Sequence, residues 1–110
     1  MTSNSNSEFC IVLSTCADPA QAERVARALV EAELAACVNF LPNTHSVYRW
    51  KGKVESAAEI LLIIKTARRH LEELERVLSG LHSYEVPEFL VLEISGGSVP
   101  YLEWLGASLK

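Results

Sequence analysis

The sequence lacks any apolar run that approaches the ~20 residues needed to cross a bilayer as a helix. It also lacks a concentrated basic patch, since the net charge is -4 and the basic residues cluster only at 49–53 and 68–69. Proteins that bind nucleic acid usually carry such a patch. The sequence therefore predicts neither a membrane partner nor a nucleic-acid partner.

The sequence contains only three cysteines, and their number and spacing indicate the redox state of the compartment. Cys10, Cys16 and Cys37 are odd in number and do not have the spacing of a metal finger. Residues 1–8 are rich in Ser and Asn, without the basic and apolar regions of a signal peptide, and are expected to form a disordered tail. These features favour free thiols in a reducing cytoplasm.

Residues 9–110 are expected to form one folded domain. Hydrophobic residues make up 49% of the chain and charged residues 22%, which is typical of a globular protein. Hydrophobic periodicity indicates the order βαββαβα. The predicted strands are at 8–15, at 35–40 with an extended continuation at 47–50, at 59–66 and at 89–94; the predicted helices begin at Asp18, at about Ala67 and at Ser98.

Local signals support several of these boundaries. Asp18 is a favourable N-cap residue, Pro19 suits the first helical position, and Gln21 completes the spacing of a capping box. Pro42 and its neighbour Asn43 indicate a bend or turn, and 51–53 with its central glycine indicates a hairpin turn.

Two β-α-β units joined by a hairpin form the ferredoxin-like, split-βαβ arrangement of an α+β protein. Right-handed crossovers place both main helices on one face of the antiparallel sheet. However, the apolar run 60–64 does not alternate with polar residues, and such a strand should be covered on both faces. Other subunits could supply the missing cover, so the chain is expected to oligomerise.

Five short motifs give the chain a resemblance to a known family. They are LAACVN at 34–39, YRWKGKV at 48–54, LLIIKT at 61–66, YEVPE at 84–88 and YLEWL at 101–105. In this order they resemble the CutA family of divalent-cation-tolerance proteins, along residues 9–110. The resemblance implies a non-enzymatic, often heat-resistant homotrimer of ferredoxin-like subunits, linked to tolerance of copper and other divalent metals.

The resemblance also implies a candidate metal pair, Cys16 and His82. Relatives with a proposed copper site use a cysteine late in the first strand, where this chain has Ser14 with Cys16 two residues on. Thiolate and imidazole suit copper or zinc, although a closed site needs about four ligands. We expect copper affinity to depend on both residues and to fall below about pH 6.5. The alternative is a small buried thiol beside a histidine at a helix end.

The loop around Tyr84 is a second candidate site. Ser83 replaces the proline usual in the family, which removes a restriction on φ just before Tyr84. We expect five residues to line a ligand cleft at a subunit boundary, with a small anion or metabolite as the ligand: Trp50, Glu59, Lys65, Tyr84 and Glu88. The alternative is a salt bridge between subunits with aromatic packing.

Three functional hypotheses follow. The first is a cytoplasmic homotrimer that binds copper or another divalent metal weakly and contributes to metal tolerance. The second is a trimer similar to the PII signalling proteins, which bind a small effector between subunits. The third is a structural trimer that presents a surface to another protein.

Overall fold

The computed structural model describes residues 8–110, and its elements follow the predicted order. They are β1 (Phe9–Cys16), α1 (Pro19–Glu31), β2 (Cys37–Trp50), β3 (Lys53–Ala67), a short 3₁₀ turn (Arg68–His70), α2 (Leu71–Leu81), β4 (Leu90–Glu93) and α3 (Val99–Ala107). The predicted tail lies outside the described residues except for Glu8. The carbonyl oxygen of Glu8 accepts a hydrogen bond from the Arg68 N–H at 2.8 Å. Between residues 8 and 110, every helix is too short or too polar to cross a membrane.

The four strands form one antiparallel sheet in the order β2-β3-β1-β4. This confirms the ferredoxin-like arrangement. The two central strands carry the core, since Val12, Leu62 and Ile64 are fully buried. They pack with Leu29 of α1 and Leu78 of α2, so both main helices cover the same face of the sheet, as predicted.

The hairpin strands are longer than the sequence indicated. β2 is one strand from Cys37 to Trp50, where a bend at 42–43 was predicted, and β3 already begins at Lys53. The bend is instead a β-bulge between Leu41 and Thr44, with Asn43 at φ 65°. Because β2 is an edge strand, Pro42 can sit in it without removing a bond to a neighbouring strand. Pro42 and Asn43 do change the direction of the chain, but they bend one continuous strand and do not end it.

The starts of α1 and α3 follow the cap signals. Asp18 Oδ1 accepts a hydrogen bond from the Gln21 N–H at 2.8 Å, and Ser98 Oγ accepts one from the Tyr101 N–H at 3.3 Å. The side chain of Gln21 reaches back to the Ala17 N–H at 3.4 Å, one residue before the N–H that a capping box would use. α1 and α3 therefore begin where a side chain satisfies a backbone N–H that has no partner within the helix, whereas α2 continues from the 3₁₀ turn without a side-chain cap.

The opposite face of the sheet is only partly covered. Leu105 of α3 packs against Phe9 and Ala67 at one end of that face. Side chains alternate between the two faces of the sheet along each strand. The pairing register therefore places a set of apolar side chains on this face, beyond the part that α3 covers. We call this set the open sheet face, and it consists of Ile11, Leu13, Leu61, Ile63, Leu90 and Leu92. Of these, Leu90 is 56% exposed and Leu92 is 49% exposed.

Candidate functional site

The 82–88 loop joins α2 to β4 and is anchored at both ends to the last residues of β1. At its start, the His82 Nε2 atom lies 2.5 Å from the carbonyl oxygen of Thr15. At its end, Ser14 Oγ donates a hydrogen bond to the backbone carbonyl oxygen of Glu88 at 2.7 Å. Ser83 Oγ adds a longer bond of 3.4 Å to Gln21 Oε1. The end of β1 therefore fixes the position of the loop.

Tyr84 and Glu59 form the central polar contact of this region. The Tyr84 hydroxyl donates a hydrogen bond to Glu59 Oε2 at 2.6 Å. Glu59 is only 7% exposed, so this donor helps to offset the cost of burying its carboxylate. Burial, followed by the bond to Glu59, raises the pKa of Tyr84 well above its usual value. The phenol stays protonated and remains a hydrogen-bond donor.

Cys16, the last residue of β1, is fully buried near this contact. Burial raises the pKa of its thiol to about 11, and the carboxylates of Asp18 and Glu59 act in the same direction. The thiolate is the form of cysteine that binds metals and attacks electrophiles. At neutral pH Cys16 is therefore a weak ligand and a weak nucleophile.

The partners of His82 define its protonation state. The Thr15 carbonyl can only accept a hydrogen bond, so Nε2 of the ring must carry the proton. The Tyr84 N–H can only donate, and it lies 3.1 Å from Nδ1, so Nδ1 must be unprotonated. These partners assign a neutral ring with both nitrogens occupied.

The predicted metal pair lies at one corner of the fold, because Thr15, the partner of His82, directly precedes Cys16. A metal ion would have to displace the proton of the Cys16 thiol, whose pKa is raised, or a protein partner of one of the His82 nitrogens. Within residues 8–110, His, Cys, Asp and Glu form no group of three or more that could hold a metal ion. The residues as arranged do not fit a preformed metal site.

Of the five predicted cleft residues, two are brought into direct contact, Tyr84 and Glu59. Lys65 lies six residues further along β3 than Glu59, which separates the two backbones by about 20 Å. Its ammonium group instead donates to the Tyr101 hydroxyl at 3.3 Å and lies 5.5 Å from the centre of that ring. Glu88 contributes a backbone carbonyl to Ser14 through the bond described above.

Trp50 lies at the far end of the hairpin, within reach of the loop. The Lys51 ammonium group is 5.6 Å from the centre of the Trp50 ring and 4.0 Å from Glu85 Oε1. Both partners of the Lys51–Glu85 pair are largely exposed, so the pair adds little stability. It does indicate that the hairpin end and the loop lie close together within one chain. The expected cleft at a subunit boundary stays a prediction.

Sequence reasoning missed Ser14 and Thr15, which anchor the loop. A weak signal was available, because they interrupt the otherwise apolar end of β1. Thr15 acts through its backbone carbonyl, however, and no side-chain pattern shows which carbonyl a histidine will contact. The role of Thr15 could be found only from the structure.

We predict that Tyr84→Phe lowers the free energy of unfolding by about 1–3 kcal/mol, because it leaves the buried Glu59 carboxylate without this donor. Tyr101→Phe is the matched control, since it removes an exposed hydroxyl that only accepts a bond from Lys65. Urea denaturation of both variants at one protein concentration measures the difference. Equal losses in the two variants would contradict the role assigned to the Tyr84–Glu59 bond.

We also predict that Cys16 makes stability depend on alkaline pH. The folded thiol has a pKa of about 11 and the unfolded thiol one near 9.0, so only the unfolded chain loses this proton between pH 9 and pH 11. The contribution of Cys16 is present below pH 9 and is lost as the pH rises toward 11. Urea denaturation across this range should show a steeper decline for the wild type than for Cys16→Ala. Parallel profiles would show that the buried thiol has no such role.

Comparison with known proteins agrees with the fold and the motifs. Residues 10–108 match the family model described as CutA1 divalent ion tolerance protein. The divalent-cation tolerance protein CutA of Pectobacterium atrosepticum is 45% identical over 100 residues, which cover 91% of each chain. Protein CutA of Homo sapiens is 43% identical over 91 residues, which cover 83% of this chain and 51% of that relative. The chain thus spans only about half the length of the human protein.

Solved structures show the same likeness in three dimensions. The crystal structure of CutA from Xylella fastidiosa superimposes with a TM-score of 0.91 at 40% identity, covering 94% of this chain and all of that one. CutA1 from Oryza sativa superimposes with a TM-score of 0.90 at 42% identity, covering 93% of this chain and 94% of that one. The resemblance inferred from five short motifs is confirmed over nearly the whole described chain, which belongs to the CutA1 divalent ion tolerance protein family.

Proposed function

We propose that the chain acts in divalent-cation tolerance as a homotrimer whose subunits meet on the open sheet face. The observation that carries this proposal is the apolar character of that face, where Leu90 and Leu92 are about half exposed on the single chain. Monomeric proteins seldom leave a continuous apolar patch of this kind in water. A closed ring of identical subunits would cover it on every copy, and three is the number that the family resemblance implies.

We propose that contact with copper or another divalent ion is weak. An ion approaching His82 would have to displace the Thr15 carbonyl or the Tyr84 N–H, and an ion approaching Cys16 would have to remove a tightly held proton. Both costs reduce affinity. A role in metal tolerance that needs only weak or indirect contact with the ion agrees with this arrangement of His82 and Cys16.

We further propose that the chain is not an enzyme and that it is cytoplasmic. The protonated Cys16 thiol and the hydrogen-bonded Tyr84 hydroxyl are both poor nucleophiles, which supports a non-catalytic role. The three cysteines are free thiols, two of them buried, as suits a reducing compartment.

A second candidate is a module that binds a small effector, similar to the PII proteins. The observation that favours it is the polar corner formed by Glu59 and Tyr84, next to Glu85, the loop residue that pairs with Lys51 at the end of the long hairpin. The Lys51–Glu85 pair and the exposed face of Trp50 are available there for a ligand. In this reading a neighbouring subunit would complete the cleft and supply a cation such as Lys65.

We predict that sedimentation velocity at micromolar concentration gives a trimer for the wild type and smaller species for Leu92→Glu. The new carboxylate would have to be buried without a partner on the open sheet face, which opposes assembly. Val30→Glu is the control, because Val30 has a similar exposure of 40% but lies on α1, on the other side of the sheet. A wild-type monomer would contradict the proposal, as would an unchanged trimer in Leu92→Glu.

A further inference from the structure

We propose that His82 holds the 82–88 loop in place as a neutral imidazole protonated on Nε2, and that this structural role excludes it from metal binding in the folded chain. The proposal rests on the pairing of both ring nitrogens described above. It stands independently of the oligomeric state, because every contact involved lies within one chain.

The His82 ring bridges two separate parts of the fold. Nε2–H donates to the Thr15 carbonyl at the end of β1, and Nδ1 accepts the Tyr84 N–H inside the loop. The opposite neutral tautomer would place a proton against the Tyr84 N–H and a lone pair against the Thr15 carbonyl, so it would lose both bonds. Only the neutral Nε2–H ring makes both bonds, because a doubly protonated ring keeps the bond to Thr15 but cannot accept the Tyr84 N–H.

The bridge also positions the Tyr84 side chain. The His82 and Tyr84 rings pack with centroids 4.7 Å apart at a tilt of 53°, and the Tyr84 hydroxyl reaches Glu59 on β3. A continuous chain of contacts therefore runs from Thr15 through His82 and Tyr84 to Glu59. His82 connects β1 to β3 through the loop, in addition to the pairing of these strands within the sheet.

The loop needs this support because its own backbone is weakly restricted at the start. Ser83 leaves φ free where a proline would fix it, so side-chain bonds must define the path of the chain there. His82 supplies those bonds at the first end, and the Ser14–Glu88 bond supplies one at the other end. Coordination of a metal by either His82 nitrogen would break one half of the bridge, because each nitrogen has a single site for a proton or a ligand.

Long-range ¹H–¹⁵N NMR spectra of the wild-type protein test the proposal directly. We expect the His82 ring to show the Nε2–H tautomer, and its nitrogen signals to stay in place when Zn²⁺ alone is added in excess. His45 is exposed and serves as an internal comparison for unspecific binding of zinc to imidazole. An Nδ1–H tautomer, or zinc-induced shifts at His82 at concentrations that leave His45 unchanged, would overturn the proposal.

Amide hydrogen exchange of Tyr84 gives a second test. His82→Ala should raise the exchange rate of the Tyr84 N–H by about tenfold, which corresponds to the loss of one hydrogen bond. His82→Asn, whose side-chain oxygen can take the place of Nδ1, should restore part of the protection, and His45→Ala should leave the rate unchanged. Unchanged exchange in His82→Ala would overturn the proposal, and the spectra of the wild type decide the question if that variant does not fold.

Discussion

The pairing of β1 with β3 is the contact on which the rest of the structure depends. Eight residues of β1 pair with β3 in one uninterrupted register, from Phe9 opposite Ala67 to Cys16 opposite Ile60. Alternation along this pair directs Val12, Leu62 and Ile64 to the two main helices and leaves other apolar side chains on the opposite face. A shift by one residue would exchange the two faces and expose the core. The helix-covered core and the open sheet face are therefore two consequences of one register.

The same register assembles the candidate site. Because Cys16 pairs with Ile60, the preceding residue of β3, Glu59, lies at the end of β1 where the 82–88 loop is anchored. There the carboxylate meets Tyr84, while Thr15 and Ser14 hold the two ends of the loop. The result is a corner in which the polar groups satisfy one another. Such a corner holds the 82–88 loop in one position against the end of β1.

Short-range patterns predicted the elements of this fold well. The cap at Asp18, the glycine turn near 52 and the apolar strands each depend on residues a few positions apart, and each was confirmed. The bend at Pro42 was predicted as a break in β2, because sequence alone cannot distinguish a turn from a bulge in an edge strand. The topology then followed from the order of elements and the handedness of crossovers.

The site was harder to predict, because it depends on distances across the fold. The contact of Tyr84 with Glu59 joins residues 25 positions apart, and the anchor of His82 on Thr15 joins residues 67 apart. Residue type suggested that His82 and Cys16 could bind a metal. His82 contacts a backbone carbonyl and a backbone N–H, and Cys16 packs in the apolar core. No pattern of residues in the sequence indicates these contacts. Lys65 and Glu59 lie at opposite ends of the apolar run in β3, so their grouping in one cleft depends on contacts between subunits and stays a prediction.

The central claim is that the register of β1 and β3 leaves one sheet face for other copies of the chain to cover. Hydroxyl-radical footprinting of the native protein at micromolar concentration, read by mass spectrometry, tests this claim most directly. Leu90 and Leu92 should be protected from oxidation at that concentration, and dilution toward the dissociation range should expose them. Val30, which is 40% exposed on α1 on the other side of the sheet, reports the dose of radicals. Oxidation of Leu90 and Leu92 in proportion to their exposure on the single chain, at every concentration, would contradict the account.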